Sequence, residues 1–410
     1  MSVPFIRYRP CPATAGFLLA LLAAGVAAAG AQAPPFVLDS ITAGADHACG
    51  LTPQHAAWCW GSNADGQLGN PAVTAPCTAG GGSEPCSTKP VKVASGVPFA
   101  SISAGHGFTC ALSTSGVAYC WGANRFGQLG IGSQVPSARP AKVGIEGVAF
   151  QSISAGDTHA CAVTTGGVAY CWGSNAGGKL GAGGTSGGHT VPALVGGHVA
   201  FRSISAGFYH TCALTRDGVA WCWGRNEQGE LGNAPRGQSS VPSRVPAAAA
   251  FRLVRAAAQF DYTCGVDASG ALRCWGADCF GQLGVDSLLE QCGAPPMPCR
   301  TKPAPVHATG SFRTVSAEFS HTCALTAEGA VLCWGDNNAG QLGSGNSGDR
   351  NSVPTAVGGA QVYRALAAGK EFTCVITAQG AAQCWGLNTL GQLGSGDLAN
   401  HTTPVPVAQP

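Results

Sequence analysis

A Cys-Trp-Gly triplet recurs seven times in this chain, with tryptophans at Trp60, Trp121, Trp172, Trp223, Trp275, Trp334 and Trp385. Successive copies are 61, 51, 51, 52, 59 and 51 residues apart. Each triplet cysteine has a second cysteine ten positions before it: Cys49 with Cys59, Cys110 with Cys120, Cys161 with Cys171, Cys212 with Cys222, Cys264 with Cys274, Cys323 with Cys333 and Cys374 with Cys384. A fixed offset kept through seven copies leaves little freedom. Whatever one copy folds into, all must, and a period near 51 residues is in the range of propeller blades. The 61 glycines and 26 prolines recur at fixed repeat positions. That placement fits an all-β chain rich in turns rather than a disordered one.

The second copy shows why one repeat makes a small sheet. Ile102 and Ala104 alternate with Ser101 and Ser103, the period-two pattern of a strand. Thr109 to Ser113 reads as a second strand and Val117 to Gly122 as a third. Between them Thr114-Ser115-Gly116 is a turn, in which glycine supplies a positive φ. Pro-x-x-Val segments such as Pro192-Ala193-Leu194-Val195 supply a shorter fourth strand. A turn centred on Ser115 sets Cys110 opposite Cys120, where Cα atoms about 4.5–5.5 Å apart suit a disulfide. Adjacent strand residues point to opposite faces, so cystine occupies one face and tryptophan the other. Both faces are apolar, and stacking between two like sheets covers both. The spacing is not that of zinc-binding Cys-x-x-Cys pairs, and neither metal nor cofactor is expected.

The N-terminus and the cysteines point to one compartment. Arg7 and Arg9, the apolar run Phe17 to Ala29 and the small residues Ala29-Gly30-Ala31 make residues 1–31 a secretory signal peptide. The run is shorter than the roughly 20 residues of a spanning helix, and no other segment could cross a membrane. Twenty cysteines suit an exported chain with disulfides. Cys77 with Cys86 and Cys292 with Cys299 fall in the two longer repeats and read as clips on inserted loops, which leaves Cys279 unpaired once Cys11 is removed. A secreted or periplasmic monomer is expected, and association with the cell surface is compatible with the same signal. Charged residues are 10% of the chain with a net charge of +2, against about 25% charged in typical soluble proteins. Binding to nucleic acid, which needs clustered Lys and Arg, is not expected.

After each tryptophan comes Gly-x-Asn-x-x-Gly-Gln-Leu-Gly, as in Gly122-Ala123-Asn124-Arg125-Phe126-Gly127-Gln128-Leu129-Gly130. With its Ala-Gly-x-x-His-Thr and Cys-Trp-Gly elements, the repeat resembles that of the regulator of chromosome condensation superfamily over about residues 36–408. The resemblance implies a seven-bladed β-propeller over that span. Asp278 departs from the Asn, Lys179 and Glu230 from the Gln, and Glu318 from the Gly of the pattern. The fifth copy has an insertion around Ala256 to Gln259. The first copy begins at Phe36 without a Pro-x-x-Val strand before it, and the last is followed by Thr403 to Val407. The C-terminal strand is therefore expected to complete the first blade and close the ring, removing an open edge.

Chain direction then places function. The Gly-x-x-His loop is expected to join the second and third strands of a blade and the Asn-x-x-Gly loop to follow the fourth, so both emerge on one face. That face carries the residues that vary most: Phe208, Tyr209, Phe260, Asp261, Phe319, Lys370 and Glu371 in the first loop set, and Arg125, Phe126, Phe280 and Leu390 in the second. Aromatics beside charges on a ring suggest a protein-binding surface, densest over copies four to six. His47, His159, His210 and His321 share one repeat position with Phe108, Tyr262 and Phe372. Exchange with aromatics suits a packing role. No Ser-His-Asp set, paired carboxylates or phosphate loop stands out, so an enzyme is not expected.

Three functional classes remain. The first is a secreted protein-binding propeller, similar to exported bacterial members that include a β-lactamase inhibitor protein. The second is the guanine-nucleotide exchange of the founding nuclear member, which the signal sequence, the cysteine pairs and the lack of a basic tail oppose. The third is an exported enzyme or carbohydrate-binding propeller. Only Trp58 and Trp221 exceed the repeat set, too few for a clustered-tryptophan light sensor. Mass mapping of unreduced, proteolysed protein is expected to recover the seven ten-spaced cystines. Free thiols at those positions in exported protein would overturn both the pairing and the compartment.

Overall fold

Each repeat forms its own antiparallel sheet, and seven such blades follow one another along the chain. The computed structural model describes residues 36–410 except 79–82, 234–236, 259, 286–288, 295 and 360. The expected signal peptide lies outside the described residues. From the centre outward, blade two contains Phe99–Ala104, Phe108–Ser113, Ala118–Gly122 and Ser137–Lys142. Blades one and five add a short fifth strand, Pro76–Cys77 and Glu290–Cys292. The innermost strands surround a central channel of about 570 Å³. No helix among the described residues is long and apolar enough to cross a membrane.

The hairpin register is the one the cysteine spacing requires. Across the second and third strands of successive blades, Cys49 is bonded to Cys59, Cys110 to Cys120, Cys161 to Cys171 and Cys212 to Cys222. Cys264 is bonded in the same way to Cys274, Cys323 to Cys333 and Cys374 to Cys384. Their Cα separations are 4.0–4.1 Å, slightly closer than the spacing expected for directly opposed residues. Cys77–Cys86 and Cys292–Cys299 clip the inserted segments of blades one and five, where the added strands pair with the outer ones. Cys279 is the free cysteine among those described.

Neighbouring blades meet cystine to tryptophan. Trp121 is fully buried against the Cys49–Cys59 disulfide of the preceding blade, with Leu68, Val93 and Phe99. Its Nε1–H donates to the Gln67 carbonyl at 2.9 Å. The other interfaces repeat this bond at 2.9–3.0 Å: Trp172 to Gln128, Trp223 to Lys179, Trp275 to Glu230, Trp334 to Gln282, Trp385 to Gln341 and Trp60 to Gln392. The glycine two residues after the acceptor turns beneath the indole. A Cβ on Gly130 (φ +68°) would lie 2.8 Å from Trp172 Nε1. Removing such a buried tryptophan typically costs about 3–5 kcal/mol.

Two expectations are corrected here. The C-terminal strand His401–Pro406 pairs with Ala382–Gly386 of its own blade and does not complete the first. Every blade is contiguous in sequence. The ring closes side by side, with Trp60 packed on Cys374, Cys384, Leu393 and Val407. Main-chain and side-chain bonds from Leu38 to Gly380 and from Arg364 to Leu38 add to that contact. The strand count consequently shifts by one. The Gly-x-x-His loop joins the first and second strands, and the Asn-x-x-Gly loop joins the third and fourth. Both loops shift together, so they still share one face.

A polar pairing between blades explains the shared histidine position. His47, His159, His210 and His321 are fully buried, and each Nε2 lies 2.8–2.9 Å from a threonine of the next blade: Thr109, Thr211, Thr263 and Thr373. Each threonine hydroxyl donates to the same carbonyl that receives the tryptophan, so it accepts from Nε2–H. Where the next blade offers alanine, at Ala160 and Ala48, this position holds Phe108 and Phe372. Tyr262 faces Thr322 at 3.1 Å and donates to the His321 carbonyl at 2.7 Å. The chain thus matches polar to polar and apolar to apolar at every interface, as burial demands.

These histidines make the fold acid-sensitive. Burial lowers the pKa to about 3 in His47, His210 and His321, and well below the ordinary value in His159. A second proton would sit on Nδ1, which has no acceptor among the described residues. Between about pH 3 and the ordinary value of 6.5 the unfolded chain binds more protons. The histidine contribution is therefore complete above 6.5 and is lost as pH falls. Buried Glu318, raised from 4.5 to about 8, acts in the opposite sense and weakens the fold as pH rises through that window. The melting temperature is expected to peak near neutrality and fall more steeply on the acid side. The paired change His321→Phe with Thr373→Ala, the combination already present at Phe108 and Ala160, is expected to flatten the acid limb in calorimetry. An unaltered acid limb would refute this account.

Candidate functional site

The loop face is uniform in backbone and uneven in side chains. In most blades the Gln of Gly-Gln-Leu-Gly accepts the main-chain N–H two residues before it, as Gln128 does from Phe126 and Gln282 from Phe280. The Asn of the same loop accepts from the Leu N–H, as Asn124 does from Leu129. These bonds hold each loop, so the residues between them are free to differ.

Blades four to six bring most of the varying residues together. The Phe260 ring meets Phe280 at 5.7 Å and Phe319 at 5.6 Å, both edge to face. Lys370 of blade seven places its ammonium 5.7 Å from the Phe319 ring centre. Phe208 and Tyr209 stack at 4.2 Å. Lys179 and Arg225 lie over Tyr209 at 5.4 and 5.0 Å. Arg225 also approaches Asp261 at 3.9 Å, joining the Tyr209 group to the loop that carries Phe260. All these aromatics are half-buried. They pack on one another and still present part of each ring to solvent.

The remaining candidates lie apart from this cluster. Arg125 and Phe126 are exposed on blade two, Phe126 to 45%. Leu390 is half-buried on blade seven, and Glu371 sits beside Lys370 with its pKa raised by burial. No ring or ion-pair contact among the described residues joins Arg125, Phe126 or Leu390 to the aromatic group. Trp58 and Trp221 belong to blades one and four and form no cluster; Trp58 packs edge-on against Phe36. The histidines of the repeat are buried between blades, each with Nε2 on a threonine hydroxyl. Glu290 lies near Cys292 and Cys299, but those sulfurs are joined in a disulfide.

Lys179 and Glu230, which read in sequence as local departures from the repeat, both organise this patch. Lys179 is buried and donates to Thr158 Oγ1 at 2.7 Å and to the Phe208 carbonyl at 3.0 Å. It fixes the Phe208-Tyr209 loop from the preceding blade. Burial lowers its pKa to about 8. Glu230 accepts the Gln228 N–H at 2.8 Å, as the usual Gln would. Burial and then the Asp261 carboxylate raise its pKa. Asp157 pairs with His106 at 3.2 Å near the channel mouth. The legible signal for Lys179 and Glu230 was a charged residue at a position the other copies fill with a neutral one.

Comparison with known proteins agrees with this architecture. Residues 142–410 match the RCC1-like domain, and residues 54–112 and 115–163 match the regulator of chromosome condensation (RCC1) repeat. The chain is 31% identical over 389 residues to the ultraviolet-B receptor UVR8 of Arabidopsis thaliana, covering 93% of this chain and 84% of that one. It is 30% identical over 322 residues to the human regulator of chromosome condensation, covering 74% of this chain and 75% of that one. Human WBSCR16 superposes with a TM-score of 0.75 at 21% identity, covering 87% of this chain and 94% of that one. Prp20p of Saccharomyces cerevisiae superposes with a TM-score of 0.73 at 20% identity, covering 88% and 87%. The match across more than half of the chain, and the relatives spanned along most of their length, make this protein a member of the regulator of chromosome condensation repeat family.

Proposed function

We propose that this protein is an exported, monomeric propeller that binds another protein through the loop face over blades four to six. The observation that carries the reading is the joined aromatic patch of Phe208, Tyr209, Phe260, Phe280 and Phe319, edged by Lys370, Arg225 and Asp261. Aromatic rings held by neighbours lose little entropy on docking, and such anchors with a polar rim are typical of binding hot spots. Protein binding is also what is described for a structural relative, since Prp20p binds Gsp1p and histones. Export is supported by the nine disulfides among the described residues and by the signal pattern of residues 1–31.

The test is capture of a partner from the envelope and culture medium of the source organism, followed by affinity measurements. Alanine at Phe208, Tyr209 or Phe319 is expected to weaken binding at least about 30-fold, since a hot-spot anchor contributes about 2 kcal/mol or more. Alanine at Arg216 or Glu328, in turns on the opposite face, is expected to leave affinity within about twofold. The reverse pattern would move the site to the other face.

A further inference from the structure

The central channel contains a cation that the fold does not use. In five blades the inner strand ties to the next through a hydroxyl that accepts a main-chain N–H: Thr42 from Ala104, Ser103 from Ala155, Ser154 from Ala206, Ser205 from Ala256 and Ser316 from Ala368. In blade five Arg255 occupies that position. A guanidinium accepts no hydrogen bond, so the equivalent tie to Ala317 has no acceptor. Arg255 therefore gives up a contact that five other blades make; blade seven, with Ala367 at the same position, also lacks the hydroxyl.

Its charge is not spent on the protein either. Arg202 reaches the Phe251 and Arg252 carbonyls of the next blade, Arg252 reaches the Phe312 carbonyl and Arg364 the Leu38 carbonyl. Among the described residues Arg255 has a single long bond, 3.4 Å, to the carbonyl of its own neighbour Val254, and no ion pair. Burial pushes its pKa down, with no carboxylate acting against that. Glu318 is the one acid among the described residues that line the channel, and it accepts the Ala258 N–H. Burial raises its pKa from 4.5 to about 8, which favours the uncharged acid. At the rim, Asp157 is matched by His106, and Lys370 acts on Asp46. The lining serines Ser103, Ser154, Ser205 and Ser316 accept main-chain bonds, which leaves their O–H hydrogens free to donate. The half-buried guanidinium sits among hydroxyl donors, and no carboxylate among the described residues pairs with it.

We infer that the central channel binds a small oxyanion, a phosphate or a polycarboxylate, with the Arg255 guanidinium as its principal ligand. Arginine forks match such oxyanions with paired, charge-assisted bonds. The channel, about 570 Å³, is in the size range of small-molecule sites. This site is separate from the aromatic patch, and its test does not depend on a protein partner.

Isothermal titration with inorganic phosphate and with citrate, at constant ionic strength in chloride, is expected to show saturable binding at a single site. Thermal melts are expected to rise in step with occupancy. Arg255→Ser, which restores the residue used in blades two, three, four and six, is expected to bind at least about tenfold more weakly. It is also expected to melt at or above the wild type in chloride alone, because it removes an unpaired charge and regains a tie to Ala317. Arg255→Lys keeps the charge without the fork, so intermediate affinity is expected. Absence of saturable binding by both anions would overturn the inference, as would unchanged affinity in the Ser or Lys variant. A melt of Arg255→Ser below the wild type in chloride would overturn it too, by showing that Arg255 serves the fold.

Discussion

One main-chain carbonyl per blade holds the ring together. It lies at the second position of the Gly-Gln-Leu-Gly loop and receives the indole N–H of the next blade's tryptophan at all seven interfaces. In five of them it also receives a threonine hydroxyl. A neutral hydrogen bond adds only about 1 kcal/mol net. Its larger effect is to fix the depth and angle at which a fully buried indole meets the cystine behind it. Because the seventh interface, Trp60 to Gln392, is built like the other six, closure needs no exchanged strand. The ends of the propeller meet as two ordinary neighbours.

The sequence revealed the blade and concealed its phase. Cysteines ten apart, with a positive-φ residue closing the turn between them (glycine in six copies, His55 in the first), permit one hairpin register, and that register forms in every blade, from Cys49 opposite Cys59 to Cys374 opposite Cys384. A repeat that closes on itself has no marked beginning, however. The same strands can be grouped with the Pro-x-x-Val segment first or last, and local pattern is equal in both. A first copy that begins at Phe36 without a Pro-x-x-Val strand, and a strand from Thr403 with no repeat after it, suggested a shared blade, whereas side-to-side packing of Trp60 on Leu393 and Val407 satisfies the same edges. The match of His47 with Thr109, and of Phe108 with Ala160, could have been read from the repeats once neighbouring blades were aligned. It links copies in order and carries no information on phase.

For the loop face, the sequence identified which residues vary but not which of them meet. Phe260, which follows the two-residue insertion of blade five, meets Phe280 of its own blade and Phe319 of blade six. Phe126 and Leu390 have the repeat position of Phe280, with Arg125 next to Phe126, and all three lie outside the patch. Repeat position gives height on the disc, while angle around the ring decides contact. The charged departures look in sequence like defects in the pattern. Arg255 and Lys179 are better understood as places where a uniform scaffold accepts a local cost, of the kind functional sites commonly impose.

Such departures are tolerated because the clasp uses main-chain oxygen. Lys179 and Glu230 replace the usual Gln, yet their carbonyls still receive Trp223 with Thr211 and Trp275 with Thr263. The side chain at that position is released from the work of holding blades together. In blade three it reaches forward to the Phe208 carbonyl, and in blade four it keeps the acceptor role of Gln while adding a carboxyl beside Asp261. Had the tryptophan bonded to the Gln side chain, Lys179, whose ammonium accepts no hydrogen bond, would have opened an interface. The division between a backbone that joins blades and side chains that face outward lets seven near-identical copies carry an asymmetric surface. It also places variation where it costs least, directly above the joints that cannot change.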